Sequence, residues 1–310
     1  MKQYILHRVL TLLGGMLLMT FITFVLMHMV PTDPVELKFH LAGVTVDSEL
    51  ADAMRAELGL DQPFWVQYGT WVVNILHGNL GHSVFYTMPV TELMSDALPN
   101  TLLLVGTSLV VGLSISLVLG YLSATRQNTI LDAIIRFTSF ICLSWPTFWL
   151  ALLLIYIFSV KLRLISTDVS TGVAALILPT ITLAIWVSGL YIRRFRTVFL
   201  EEFSKDYIRG ARALGVSESM IFKRYIAPNV MIQILPMLGV TIGTMLGGTV
   251  IVETIFGWRG MGYLMVKAII SSDYALIQGY VLWAVFVYMG INFIVDLIFM
   301  YMNPRLRKGV

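Results

Sequence analysis

Charge is scarce in this chain and cysteine is almost absent. Only 13% of the 310 residues are Asp, Glu, Lys or Arg, against roughly 25% in an average soluble domain. With 57% hydrophobic residues, that shortage excludes an ordinary soluble enzyme and points to the membrane class. The single cysteine, Cys142, lies in an apolar run. It has no partner for an internal disulfide, no Cys/His cluster has zinc spacing, and it reads as a packing residue. A G-x-x-x-x-G-K-[ST] phosphate loop is missing, so the chain carries no ATPase motif of its own. H-E-x-x-H and G-x-S-x-G are missing as well, which removes two common hydrolase readings. No nucleic-acid partner is expected.

What is abundant is apolar sequence in lengths that cross a bilayer, about 20 residues each. Six stretches qualify: Val9–Val30, Leu102–Ala124, Ile134–Val160, Leu176–Tyr191, Met231–Val252 and Leu276–Met302. The first is longer than a signal-peptide core of about 7–15 residues. It is followed by "VPTDPVEL" rather than a small-x-small cleavage site, so it reads as an anchor. Arg193, Arg194 and Arg196 are expected to close the fourth span early. With the N-terminus inside, the inner segments hold fifteen basic and five acidic side chains, and the outer segments six and twelve. Asp296 falls within a span. The resulting +10 against −6 follows the positive-inside rule and places both termini in the cytoplasm.

The expected fold is all-α: a polytopic, multi-pass protein of the cell inner membrane with six transmembrane helices, N-in and C-in, in contact with lipid. Residues 1–30 form the N-terminal tail and first helix, and 31–99 an extracytoplasmic helical segment. Residues 100–303 form a five-helix core with a cytoplasmic loop over 193–229, and 304–310 a cytoplasmic tail. In the outer segment "DSELADAMRAELG" predicts a helix capped by Asp47 or Ser48 and ended by Gly59. "FWVQYGTWVVNILHG" predicts a second, with Trp65, Tyr68, Trp71 and Ile75 on one face.

The most charged and patterned stretch is "DYIRGARALGVSESMIFKRYIAPNV", Asp206–Val230. Ser204 is placed to cap a helix with Asp206 in its first turn, where negative charge suits the helix dipole. Tyr207, Ile208, Ala211 and Leu214 form one apolar stripe. Gly215 stands where a left-handed residue ends a helix. Ser217 caps a second helix, and Pro228 is expected to kink or restart the chain. A short helix, a glycine elbow and another helix follow from this spacing. An apolar stripe flanked by arginines lies on lipid or docks into a partner.

These residues resemble a known family. Permease subunits of ABC importers carry a cytoplasmic signature, E-A-A, three residues, G, nine to twelve residues, ending near L-P. Ala211 matches the second alanine, Gly215 the glycine and Pro228 the proline. Arg209, Gly210 and Ala227 replace the glutamate, the first alanine and the leucine, and "DYIRGARALG" is similar to the peptide and nickel branch of the family. "PTDP" at Pro31–Pro34, "LGLDQPFWVQYGTW" at Leu58–Trp71, "VETIFGWRGMG" at Val252–Gly262 and "NPRLR" at Asn303–Arg307 resemble that branch in order and spacing. Arg259 in place of a proline and Asn79 in place of an aspartate depart from it.

The resemblance implies that Asp206, Tyr207, Arg209, Ala211, Leu214, Gly215 and Pro228 form a coupling helix docked on two separate cytoplasmic ATPase subunits. It also implies a second homologous permease subunit and an extracytoplasmic substrate-binding protein. The chain itself would bind no cofactor, ATP and Mg²⁺ being used by the partner subunits. The short segment Lys161–Ala175 and the outer motif resemble nickel-type members, so nickel or a metal chelate is the expected cargo, with dipeptides or oligopeptides as the alternative. A secondary transporter or channel is the rival class, and it would have no use for a coupling segment.

Three further clusters are candidates. Gly239, Gly243 and Gly247 make a double G-x-x-x-G, suited to close helix packing within the chain or at a subunit interface. Glu253, Asn292 and Asp296 are candidates for the translocation path, since polar groups in spans face partners or cavities. Met27, His28 and Met29 are soft-metal ligand types, weak candidates only, and no firm metal site is assigned.

Overall fold

The structure, a computed structural model, describes residues 2–29, 33–41, 48–165 and 173–302. The motif Asn303–Arg307, part of "PTDP", the Asp47 cap and much of the 161–175 segment lie outside the described residues. Among those described, the chain is helical, with an isolated antiparallel bridge between His82 and Pro89 and no strand. In order run α1 (Lys2–Met29), α2 (Pro34–Leu41), α3 (Ser48–Glu57), α4 (Phe64–Leu76), α5 (Val90–Thr125), α6 (Ile130–Ser144) and α7 (Thr147–Leu154). After these come α8 (Val173–Phe203), α9 (Asp206–Ala213), α10 (Glu218–Ile221), α11 (Ala227–Phe256), α12 (Met261–Ile270) and α13 (Tyr274–Met302). Two π-helical stretches, Ile155–Lys161 and Phe222–Ile226, extend α7 and join α10 to α11.

Five helices are long and apolar enough to cross a membrane, and α6 with α7 and its extension supplies a sixth only if the bent pair is one span. The expected single span Ile134–Val160 is corrected here: it is broken, with a 98° bend. Pro146 is the cause. It has no N–H to donate and disfavours helical backbone at the residue before it, and Trp145 is extended at φ −84°, ψ 127°. The arginines at 193, 194 and 196 do not end the fourth span, because α8 continues to Phe203. Arg193 and Arg194 are exposed while Phe195, Val198 and Phe199 stay buried, so the helix turns amphipathic instead of stopping.

The chain forms two compact units, residues 1–101 with 259–289, and 102–258 with 290–310. In the first, Val90, Met94, Met261, Leu276, Ile277 and Tyr280 make a buried core, with Met27 packed on it. Rings of α1 and α4 interlock, Phe24 lying 5.0 Å from Phe64 and 5.3 Å from Tyr68. Trp65 departs from the expected common face. It is 70% exposed, whereas Tyr68, Trp71 and Ile75 are half-buried. Gly59 ends the α3 region in the left-handed conformation, φ +67°, as its spacing predicts. Arg55 ties α2 to α3 through Asp33, Glu36 and Asp52.

In the second unit α8 is central. Tyr191, Phe195, Phe199 and Phe203 form a ladder along it, successive rings 5.9–6.3 Å apart. At Gly120 of α5 a Cβ would lie 2.5 Å from that of Phe195, so only glycine permits this helix approach. Asp132, fully buried, fixes the turn between α5 and α6. It accepts from Arg196 at 2.7 and 2.9 Å, from Ser123 Oγ and from the Asn128 N–H at 3.1 Å.

Candidate functional site

The Asp206–Val230 stretch folds as a short helix, an elbow and a second helix. Gly215 has φ +75°, the left-handed region where a side chain costs most. The Val216 N–H bonds Ala211 O at 3.1 Å and the Gly215 N–H bonds Arg212 O at 3.0 Å. Those two bonds are the Schellman pattern that satisfies the last carbonyls of a helix. Arg212 of α9 donates to Glu218 of α10 from Nε at 2.7 Å and from Nη2 at 3.2 Å. The carboxylate raises the Arg212 pKa and clasps the elbow from outside. Asn229 Nδ2 donates to the Tyr207 hydroxyl at 3.0 Å, tying α9 to the start of α11.

The capping side chains differ from expectation. Lys205, not Ser204, occupies the N-cap position of α9, and its side chain makes no cap bond. Ser204 Oγ instead donates back to Glu201 O at 2.8 Å. Ser217 occupies the N-cap of α10 without a side-chain bond. Pro228 does not kink or restart the chain. It sits in the first turn of α11, directly after the π-helical stretch. A wide turn there absorbs the hydrogen bond that proline is unable to donate.

The apolar stripe divides in two. Ile208 is fully buried and Ala211 is 8% exposed, both covered by this chain itself. Leu214 is 85% exposed and Tyr207 41%. Met220 and the pair Arg209–Asp206 are exposed as well. Ile208 and Ala211 therefore seat the elbow, while Leu214 and Met220 are exposed, with Tyr207 bonded to Asn229 and Arg209 paired with Asp206. Beneath, Phe222 packs on Tyr121 at 5.2 Å and on Phe199 at 6.3 Å, which joins the elbow to the α8 ladder.

The other candidates do not gather into one site. Gly239 packs against Val295 of this chain, where a Cβ would come within 3.0 Å; Gly243 is buried, and Gly247 faces open space. Glu253 is fully buried near the end of α11. Asn292 and Asp296 lie one turn apart on α13, half-buried and engaged in polar interactions. Both ring nitrogens of His28 are occupied, by Phe24 O at 2.9 Å and Gln67 Oε1 at 3.2 Å. Met29 is 73% exposed while Met27 packs on the core, so this trio does not converge. Among the described residues no three His, Cys, Asp or Glu side chains are grouped so as to hold a metal ion. Asn79 Oδ1 accepts the Gly81 N–H at 2.9 Å, so the asparagine at that position still shapes the turn.

Sequence reasoning missed the Asp132–Arg196 pair and the Arg212–Glu218 clasp. For the first a signal was present, because Thr129 caps α6 and Asp132 follows three residues later in the manner of a capping box.

Residues 116–308 match the family described as the binding-protein-dependent transport system inner membrane component, and residues 1–105 match its N-terminal region. A peptide permease protein of Brucella suis biovar 1 is 35% identical over 318 residues, spanning 99% of each chain. A D,D-dipeptide transport system permease protein of Escherichia coli is 34% identical over 93% of this chain and 92% of its own. A glutathione transport system permease protein of Salmonella choleraesuis is 34% identical over 99% of each. An inward-facing methionine ABC transporter has a similar fold, with TM-score 0.58 and 20% identity over 69% of this chain and 97% of that one.

Proposed function

The chain belongs to the binding-protein-dependent inner membrane component family, the permease subunits of ABC importers, in its peptide and nickel branch, and on that premise we propose that it moves short peptides. It is a multi-pass inner-membrane protein. The observation that carries the cargo is the naming of full-length relatives for peptides, D,D-dipeptides and glutathione. Nickel or a chelate, the expectation from the short 161–175 segment, gains no comparable support. Radiolabelled dipeptide uptake should be lost on deletion of the chain, with ⁶³Ni²⁺ uptake unchanged. Loss of nickel uptake with normal dipeptide uptake rejects the peptide reading.

An external binding protein delivers the cargo, and a second homologous permease completes the path. Two cytoplasmic ATPases use ATP and Mg²⁺, and the elbow of α9 and α10 docks on them. Exposed Leu214, Tyr207 and Met220 beside an ordered glycine turn support that docking role. The +10 against −6 charge map supports a cytoplasmic elbow and an outward 31–99 segment. Single cysteines at Glu57 and Ser219, in a Cys142→Ser background, test this with an impermeant thiol reagent. Position 57 should label in intact cells; labelling of position 219 alone reverses the topology.

A further inference from the structure

The first unit encloses a cavity of about 270 Å³ that no step above uses. Its walls come from α1, the loop between α3 and α4, α4, the loop after α4 and the first turn of α13, all within that unit. Phe24, Leu80 and Val84 supply apolar surface. Gln278 is only 5% exposed and lines the space. A buried amide is expected to be hydrogen-bonded, yet among the described residues none receives its side chain. Asn74, half-buried on α4, presents a second amide to the space. Trp71 also lines the cavity, and its buried indole N–H has no acceptor. The lining holds no Asp, Glu, Lys or Arg.

We propose that this cavity binds the peptide group of a short peptide, with Gln278 and Asn74 pairing to its amide and an apolar side chain lodged against Phe24 and Val84. Amide side chains offer one donor and one acceptor side by side, which is the complement of a backbone peptide unit. The lining includes His28, both of whose ring nitrogens are engaged, and His82, but no carboxylate or ammonium to pair with peptide termini, so the ligand is recognised through its uncharged middle. The inference rests on the peptide-import reading and adds a waiting site on the face assigned as outward, separate from the α9–α10 elbow.

The test uses the intact permease–ATPase complex in nanodiscs, without binding protein, and radiolabelled N-acetyl-leucyl-leucinamide as probe. Saturable binding is expected, with uncapped dileucine binding within about threefold because terminal charges are not read. Gln278→Leu should weaken binding about tenfold, since the site then leaves the ligand amide unpaired. Asn74→Leu, at a half-exposed position, should weaken it several-fold and guards against a folding defect at residue 278. Wild-type binding in both variants, or no saturable binding by the wild-type complex, overturns the site. Loss of binding-protein docking in Gln278→Leu, with no free-peptide binding, assigns the cavity to a protein segment and overturns it too. Either failure leaves the importer reading intact as long as deletion of the chain abolishes dipeptide uptake. Persistent dipeptide uptake in the deletion strain defeats the importer reading itself.

Discussion

The turn between α5 and α6 and the elbow between α9 and α10 are of similar length, lie in the same unit and are each held by an acid–arginine pair, the first with its arginine supplied by α8. They spend that pair differently. At the first, Asp132 is fully buried and takes hydrogen bonds from Arg196, Ser123 and a backbone N–H. At the second, Arg212 and Glu218 remain 44% and 69% exposed, and the fold is set by Gly215 and by buried Ile208 and Ile221. A buried, fully bonded carboxylate is costly to break and fixes geometry. An exposed pair contributes little to stability and leaves its surroundings open to a partner. The contrast separates a turn locked into the unit by a buried ion pair from a turn whose ion pair stays at the surface.

Removing the buried node gives the largest effect. Asp132→Ala strands the Arg196 guanidinium and should cost about 3–5 kcal/mol, seen as loss of the chain from membranes by immunoblot. Asp132→Asn, which keeps part of the bonding, should accumulate at an intermediate level. Normal accumulation of Asp132→Ala removes the distinction between the two turns. At the elbow, a Cβ added at Gly215 meets no heavy atom within 4 Å, so the main cost of Gly215→Val is backbone strain, roughly 1–2 kcal/mol. The chain should insert and assemble while dipeptide uptake falls below a tenth of normal, with ATP hydrolysis continuing. Full uptake shows that the left-handed turn is dispensable. The smallest change in stability belongs to Leu214→Asp, within about 0.5 kcal/mol because the residue is solvent-facing. It is also the sharpest test of contact: co-purification of ATPase should fall at least tenfold, an unpaired charge on a desolvated contact costing more than about 1.4 kcal/mol. Unchanged co-purification moves the docking surface elsewhere. Ala211→Glu does not serve this purpose, because Ala211 lies under the elbow and not on it.

The spans, the Gly215 elbow and the α3 stop at Gly59 were legible because each rests on local chemistry: apolar length, or one left-handed residue. The 98° break at Trp145–Pro146 was legible in principle from the proline, but the apolar run masked it. The extension of α8 beyond Arg193 required knowing that its buried face continues through Phe199. Ile208 and Leu214 look alike in a helical stripe; only packing against the rest of the chain tells that one is covered and the other bare. Gln278 and Asn74 lie 204 residues apart in sequence, and no spacing rule brings them to one cavity.

From Glu218 to Phe256 the chain runs as one continuous rod of 39 residues, the π-helical stretch included. At 1.5 Å per residue that is a beam about 58 Å long. Its near end sits one residue beyond Ser217, beside the elbow, and its far end carries Glu253. A tilt of about 5° at such a beam's foot sweeps its tip by about 5 Å, close to one helical turn. If the helix moves as one body, a small tilt beside the elbow becomes a displacement of molecular width at the other end; Pro236 and the π-helical stretch are the two places where it would bend instead.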